Sequence, residues 1–285
     1  MKLKKAHIKL LLLTFIFLIS IPNNLLAQNN YGKISYLKAI NVSGKQRMLC
    51  QKIAKSYLYL IDNPNSVNAE RDLLVYKIIF GKQLELLEDN NSNKDIAQQI
   101  SKVNTLWIDF KNNIDNSPTY LGTNKVIKNN TILLNEIDNL VSLIVIESQK
   151  SAYMFSKPKN VKLSEVINLS GKQRMLSQRL ALYYFASKDK YVDCIKSKNI
   201  LENIFIEINE AISKLLISNY NTTEIEISLG IAISEFEKIS KYKEKFMNHE
   251  FSDLEVFKIT NNMTSSFNML TVLYEELGEQ LIEEN

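Results

Sequence analysis

The chain has little of what catalytic sites and loop-rich domains are built from. Among its 285 residues there are seven glycines, four prolines, two cysteines, two histidines and one tryptophan. Two cysteines cannot make a disulfide framework. Cys50 and Cys194 also sit at non-equivalent places, so two thiols are expected rather than a bridge. Beyond the N-terminal region the sole histidine is His249. There is no metal-ligand cluster, no nucleophile elbow, no phosphate-cradling glycine loop and no Glu-x-x-His of the kind that di-iron bundles use. Neither an enzyme nor a cofactor or metal site is expected. With glycine and proline so scarce, long helices should run between Pro64, Pro118 and Pro158, and no strands are expected.

An excess of one charge is missing too. The chain has 35 Lys and Arg against 31 Asp and Glu. Met1 to Ala27 holds four lysines and no acid, which leaves the remainder at 31 of each sign. The basic isoelectric point therefore gives no reason to expect nucleic acid as a partner. Charge is uneven only locally. Lys33 to Ile61 carries six basic residues and no acid, whereas Thr271 to Asn285 carries five glutamates and no base. Pairing between these elements is one reading and a binding surface the other.

Long hydrophobic runs are also lacking. The segment from Leu10 to Ile21 is apolar, follows four lysines and leads to Leu25-Leu26-Ala27. That is a signal-peptide pattern over residues 1–27, and it is short of the ~20 residues a spanning helix needs. Export to the periplasm or secretion is expected, the alternative being a membrane tether through an uncleaved N-terminal helix. No cysteine follows the apolar run, so lipid attachment there is not expected. Leu140 to Ile146 is apolar but too short to span.

One stretch is present twice. Ile40-Asn41-Val42-Ser43-Gly44-Lys45-Gln46-Arg47-Met48-Leu49-Cys50-Gln51-Lys52-Ile53-Ala54 returns at Ile167 to Ala181, and eleven of the fifteen positions are identical at an offset of 127. Such a match implies a duplication. In each copy Ile40/Ile167, Gly44/Gly171, Arg47/Arg174, Gln51/Gln178, Ala54/Ala181 and Leu58/Phe185 fall on one helical stripe. Asn41, Lys45 and Lys52 fall elsewhere and are expected to be solvated. An arginine on a packed stripe needs a partner, and no Asp or Glu lies between Lys33 and Ile61 or between Val166 and Lys188. Arginine's rigid fork suits a planar oxyanion, while a carboxylate or carbonyl from a neighbouring helix would serve equally. The glycine one turn earlier costs ~1 kcal/mol against alanine in a helix, which suggests that something approaches closely there.

The motif I-N-x-S-G-K-Q-R-M-L-x-Q-x-x-A resembles the hallmark of the PilJ-type sensor domain, the N-terminal domain of type IV pili methyl-accepting chemotaxis transducers. It is similar to the nitrate-sensing ectodomain of NarX-type histidine kinases. In those relatives the motif arginine from each of two subunits grips nitrate across a helical dimer interface. The resemblance implies that role for Arg47 and Arg174. The identity of Gly44 with Gly171, Gln46 with Gln173 and Gln51 with Gln178 in the two copies adds these six residues to the expected ligand site. It covers about a quarter of the chain, and no kinase, HAMP or methyl-accepting region is expected after it.

The expected architecture is all-α, with two tandem up-and-down four-helix bundles, set apart or end to end as a rod. They would occupy residues 28–157 and 158–285. The first holds helices at about Lys33 to Ile61, Val67 to Asp89, Lys94 to Ile114 and Asn124 to Phe155. Leu73, Leu74, Ile78, Leu84 and Leu87 would form the apolar face of the second of these. The second bundle holds helices at about Leu163 to Ala186, Val192 to Leu216, Thr223 to Met247 and Ser252 to Leu281. Val126 with Leu140 matches Val256 with Leu270 at an offset of 130. Tyr57 and Tyr184 are expected to pack in the core with their hydroxyls at its edge. Two functions follow. One is an extracytoplasmic sensor-type module that binds a small inorganic anion between Arg47 and Arg174 and passes the signal to an envelope receptor or signalling protein. The other is a structural or interaction bundle in which the motif only packs helices. A homodimer is compatible with either.

Overall fold

The computed structural model describes residues 30–154 and 158–283. Within them the chain is helical almost throughout. A two-stranded antiparallel ribbon, β1 (Asn30–Tyr31) and β2 (Ile34–Ser35), opens it. Nine helices follow: α1 (Tyr36–Asp62), α2 (Val67–Asn90), α3 (Lys94–Ile114), α4 (Tyr120–Met154), α5 (Pro158–Ala186), α6 (Cys194–Leu216), α7 (Thr223–Ser240), α8 (Lys243–Met247) and α9 (Asp253–Glu283). The leader and the expected helix end at Phe155 lie outside the described residues.

The ribbon is a departure from the strand-free expectation, and it rests on one residue. Gly32 takes φ +65° in the turn, and a Cβ there would meet the Asn90 carbonyl oxygen. The tight hairpin and the close approach of α2 both need glycine. Tyr31 then donates its hydroxyl to the Leu87 carbonyl, tying the ribbon to the end of α2.

Local chemistry sets the helix starts. Ser35, Ser66, Asn93, Asp193 and Thr222 each accept a backbone N–H of the first turn of the helix that follows. Ser252 and Glu255 form a reciprocal capping box at the start of α9. The expected seventh helix breaks at Lys241 and Tyr242, leaving α8 as a separate turn of helix.

The helices close into two four-membered rings, α1–α2–α3–α4 and α5–α6–α7–α9. The rings lie side by side rather than end to end. The most extensive packing between any two helices is that of α1 on α5. These two run parallel: Leu37 lies near Leu163 at one end, and the Tyr59 ring packs against the Phe185 ring at the other. α4 and α9 flank them, each packing on its own motif helix in antiparallel fashion and touching the other as well.

α1 is thereby surrounded by α2, α4, α5 and α9, which leaves it no solvated face. Asn41 and Lys52, expected outside, are buried, and Lys45 is half-buried. On α2, by contrast, Leu74 and Ile78 are exposed, and Ala69, Leu73, Phe80, Leu84 and Leu87 form its inner face. α3 buries Ile96, Ile100, Val103, Trp107 and Phe110 as its spacing predicts. Tyr57 and Tyr184 are core residues; the Tyr57 hydroxyl accepts the Thr119 N–H, and the Tyr184 hydroxyl donates to the Phe251 carbonyl. No helix among the described residues is long and apolar enough to cross a membrane.

Candidate functional site

The parallel packing of α1 on α5 brings the two motif arginines to the centre of the molecule. Arg47 is 4% exposed and Arg174 is fully buried. Each reaches back along the partner helix to the asparagine of the other motif copy. Arg47 Nη2 donates to Asn168 Oδ1 at 2.8 Å, and Arg174 Nη1 donates to Asn41 Oδ1 at 2.7 Å. Exchanging the two copies exchanges these two bonds.

Gly44 makes room for the meeting. A Cβ on it would stand 3.3 Å from Arg174 Nη2 and 3.4 Å from Arg47 Nη2. Both guanidinium ends therefore converge on the space that a side chain would fill. Gly171 faces only one of them, Arg174 Nη2, at 3.0 Å.

Beyond this point the symmetry fails. Arg47 Nη1 pairs with Asp138 Oδ1 on α4 at 3.1 Å. The residue at the corresponding place on α9 is Asn268, and Arg174 Nη1 donates to its Oδ1 at 3.1 Å. The other bonds of Arg174 go to carbonyls: Nη2 to Asn41 and Nε to Gly171, both at 3.3 Å. Among the described residues Arg174 has no ion pair. A carboxylate reaches it only through Asn41, whose Nδ2 donates to Glu275 Oε2. Glu275 also pairs with Lys38 at 3.0 Å.

The electrostatics follow from that difference. Burial, and then the neighbouring Arg47 charge, pull the Arg174 guanidinium down to about 9, with Glu275 pulling the other way. Burial lowers Arg47 as well, but Asp138 opposes it by charge and hydrogen bond. An arginine side chain keeps its charge in proteins. The centre thus holds two buried cations and one directly bound carboxylate, and Arg47 Nε lacks a partner among the described residues.

The motif glutamines lie on the same two helices. Gln51 donates to Asn130 Oδ1 at 2.6 Å, and Gln178 donates to Thr264 Oγ1 at 2.6 Å and Asn261 Oδ1 at 3.1 Å. Gln46 turns towards α2, bonding the Phe80 carbonyl, and Gln173 bonds the Leu169 carbonyl of its own helix. None of the four is placed on a guanidinium by these bonds. The residues that do touch the arginines include Asn41, Asn168, Asp138 and Asn268, which the motif stripe leaves out. The offset of 130 that aligns α4 with α9 does set Asp138 opposite Asn268.

Residues 36–134 match the family described as the N-terminal domain of type IV pili methyl-accepting chemotaxis transducers. That is a sensory family rather than a family of enzymes. The match contains the first motif copy and stops before the second. No curated protein and no solved structure matches the chain.

Proposed function

We propose that this chain is an exported sensor-type module that holds one small oxyanion, nitrate- or nitrite-like, between Arg47 and Arg174. In this reading the duplication supplies in one chain the pair of arginines that NarX-type relatives assemble from two subunits. The two halves, 28–157 and 158–285, act as pseudo-subunits, and an envelope receptor or signalling protein receives the signal. The observation that carries the proposal is the convergence of two buried guanidinium ends beside Gly44, one of them without a carboxylate. Two like charges at that spacing in a dry core repel, and a planar anion accepting from both forks would relieve them.

The amide oxygens of Asn41 and Asn168 now occupy the acceptor positions on the forks. An incoming oxyanion would displace them, and each is carried by the opposing motif helix. Binding would therefore shift α1 against α5, which supplies a mechanical output. Gly44 and Gly171 would let the anion approach the helix backbone, and Gln46, Gln51 and Gln178 would hold the register of α1 and α5 against α2, α4 and α9.

The Arg47–Asp138 pair favours a second reading, in which the arginines form a structural polar layer. Thermal unfolding of the full chain separates the two. At matched ionic strength, a ligand at 100 times its dissociation constant stabilises by about 2.7 kcal/mol. Nitrate or nitrite should raise the midpoint where chloride does not, and Arg47→Lys, which keeps the charge but loses the fork, should weaken the effect. The same midpoint in all three anions, with Arg47→Ala and Arg174→Ala merely less stable, would leave the structural reading.

A further inference from the structure

We propose a second ligand site, for a small primary ammonium, at the far end of the motif helices. It is independent of the anion reading, and about 16 Å of helix separates Leu58 from Arg47 at 1.5 Å per residue. A cavity of about 320 Å³ opens there, lined by Leu58, Ile61 and Asp62 of α1, Phe185 of α5, Tyr120 of α4, Asp253 of α9, and Lys188 and Asp189 of the turn after α5. Its size suits a small organic molecule.

Three carboxylates from three segments and one cation line it. Lys188 pairs with Asp253 at 2.6 Å, and Tyr120 donates its hydroxyl to Asp62. Asp189 is left over. It is 7% exposed, and the turn holds it through its Oδ1, which accepts the Tyr191 N–H at 2.8 Å. Its Oδ2 has no partner among the described residues. A buried carboxylate oxygen without a donor is costly, and a ligand N–H would satisfy it.

The surroundings fix the kind of cation. Two helices end at this cavity and two begin, so the helix dipoles oppose one another and the carboxylates decide the sign. The field they set up is felt at Tyr120, whose phenol is pushed up to about 12 by its hydrogen bond to Asp62, then by burial and the charges of Asp62, Asp189 and Asp253. Among the described residues no three potential ligand side chains come close enough to hold a metal ion. The floor is apolar, from Leu58, Ile61 and Phe185, with the Tyr120 ring beside it. An alkyl chain would lie on that floor with its –NH3⁺ towards Asp189 and Asp62. A quaternary ammonium has the charge but no N–H for the orphaned oxygen, so it is the discriminating control.

The test is calorimetric titration and thermal unfolding of the full chain at neutral pH. The probes are n-butylammonium and putrescine, with tetramethylammonium and sodium at matched ionic strength and no nitrate present. The primary amines should bind and raise the midpoint, and the controls should not. Asp189→Asn should weaken binding roughly tenfold to a hundredfold, as the loss of a charge-assisted hydrogen bond implies. Asp62→Asn, at an exposed helix end where folding is not at stake, should weaken it less. Equal binding of tetramethylammonium, no binding of either amine, or undiminished binding in both variants would overturn the proposal. Because nitrate is absent, failure here leaves the anion reading untouched, and failure of that reading leaves this one standing.

Discussion

Arg47 and Arg174 occupy the same position of the same motif on helices that pack against each other, yet they live in different electrostatic surroundings. Asp138 gives Arg47 a direct carboxylate; Asn268 gives Arg174 only an amide oxygen. A single residue on a flanking helix therefore decides whether the buried charge is paired. The motif sets where the guanidinium goes, and the flanking helix sets what it needs. The comparison extends about two turns on: fully buried Lys55 of α1 corresponds to Leu182 of α5.

The largest expected effect is Arg174→Ala. It removes a fully buried side chain and strips donors from the oxygens of Asn41 and Asn268, at a cost of about 3–5 kcal/mol. Arg47→Ala should cost less, about 2–3 kcal/mol, because Asp138 is 41% exposed and can turn to water. Urea unfolding of both variants orders them, and the reverse order would break the comparison.

Lys55 comes next. Its amine donates to Asn261 Oδ1 at 2.8 Å and lies 4.0 Å from the centre of the Phe257 ring. Burial, then the charge of Lys52, hold it well below the ordinary lysine value, and Asp72 opposes them. The folded chain therefore binds fewer protons there than the unfolded chain between the lowered value and the ordinary one. In that window stability rises with pH. Lys55→Leu should stabilise by about 1–4 kcal/mol at neutral pH and remove that rise. A pH series of unfolding midpoints reads both.

Exchanging the flanking residues sharpens the contrast. Asn268→Asp gives Arg174 a carboxylate and should add about 1–2 kcal/mol. Asp138→Asn should cost about 1 kcal/mol, since that carboxylate is partly exposed. The smallest effect on stability is that of Gly44→Ala. The methyl group crowds both guanidinium ends, but the helix gains from alanine, so a net change within about 1 kcal/mol is expected. Anion binding should nevertheless be lost.

Much of this was legible in the sequence. Helix order, the start of the last helix at Ser252 and the convergence of Arg47 with Arg174 follow from periodicity and from the repeated motif. The solvated face assigned to α1 does not survive, because stripe arguments assume a helix with one side in water and α1 is enclosed by four others. Asn41 is the clearest case, since the side chain read as solvated is the one that caps Arg174. Asp138 stands 91 residues from Arg47 and Asn268 stands 94 from Arg174. No local pattern links residues so far apart. The ribbon at Asn30 to Ser35 is too short to leave any alternation of apolar and polar residues.

If two unequally paired arginines make one anion site in one chain, calorimetric titration of nitrate into the full chain, beside Asn268→Asp, should show it. One nitrate per chain is expected for the natural sequence, and none once Arg174 has its own carboxylate. Two nitrates per chain, or the same binding in Asn268→Asp, would rule the shared site out.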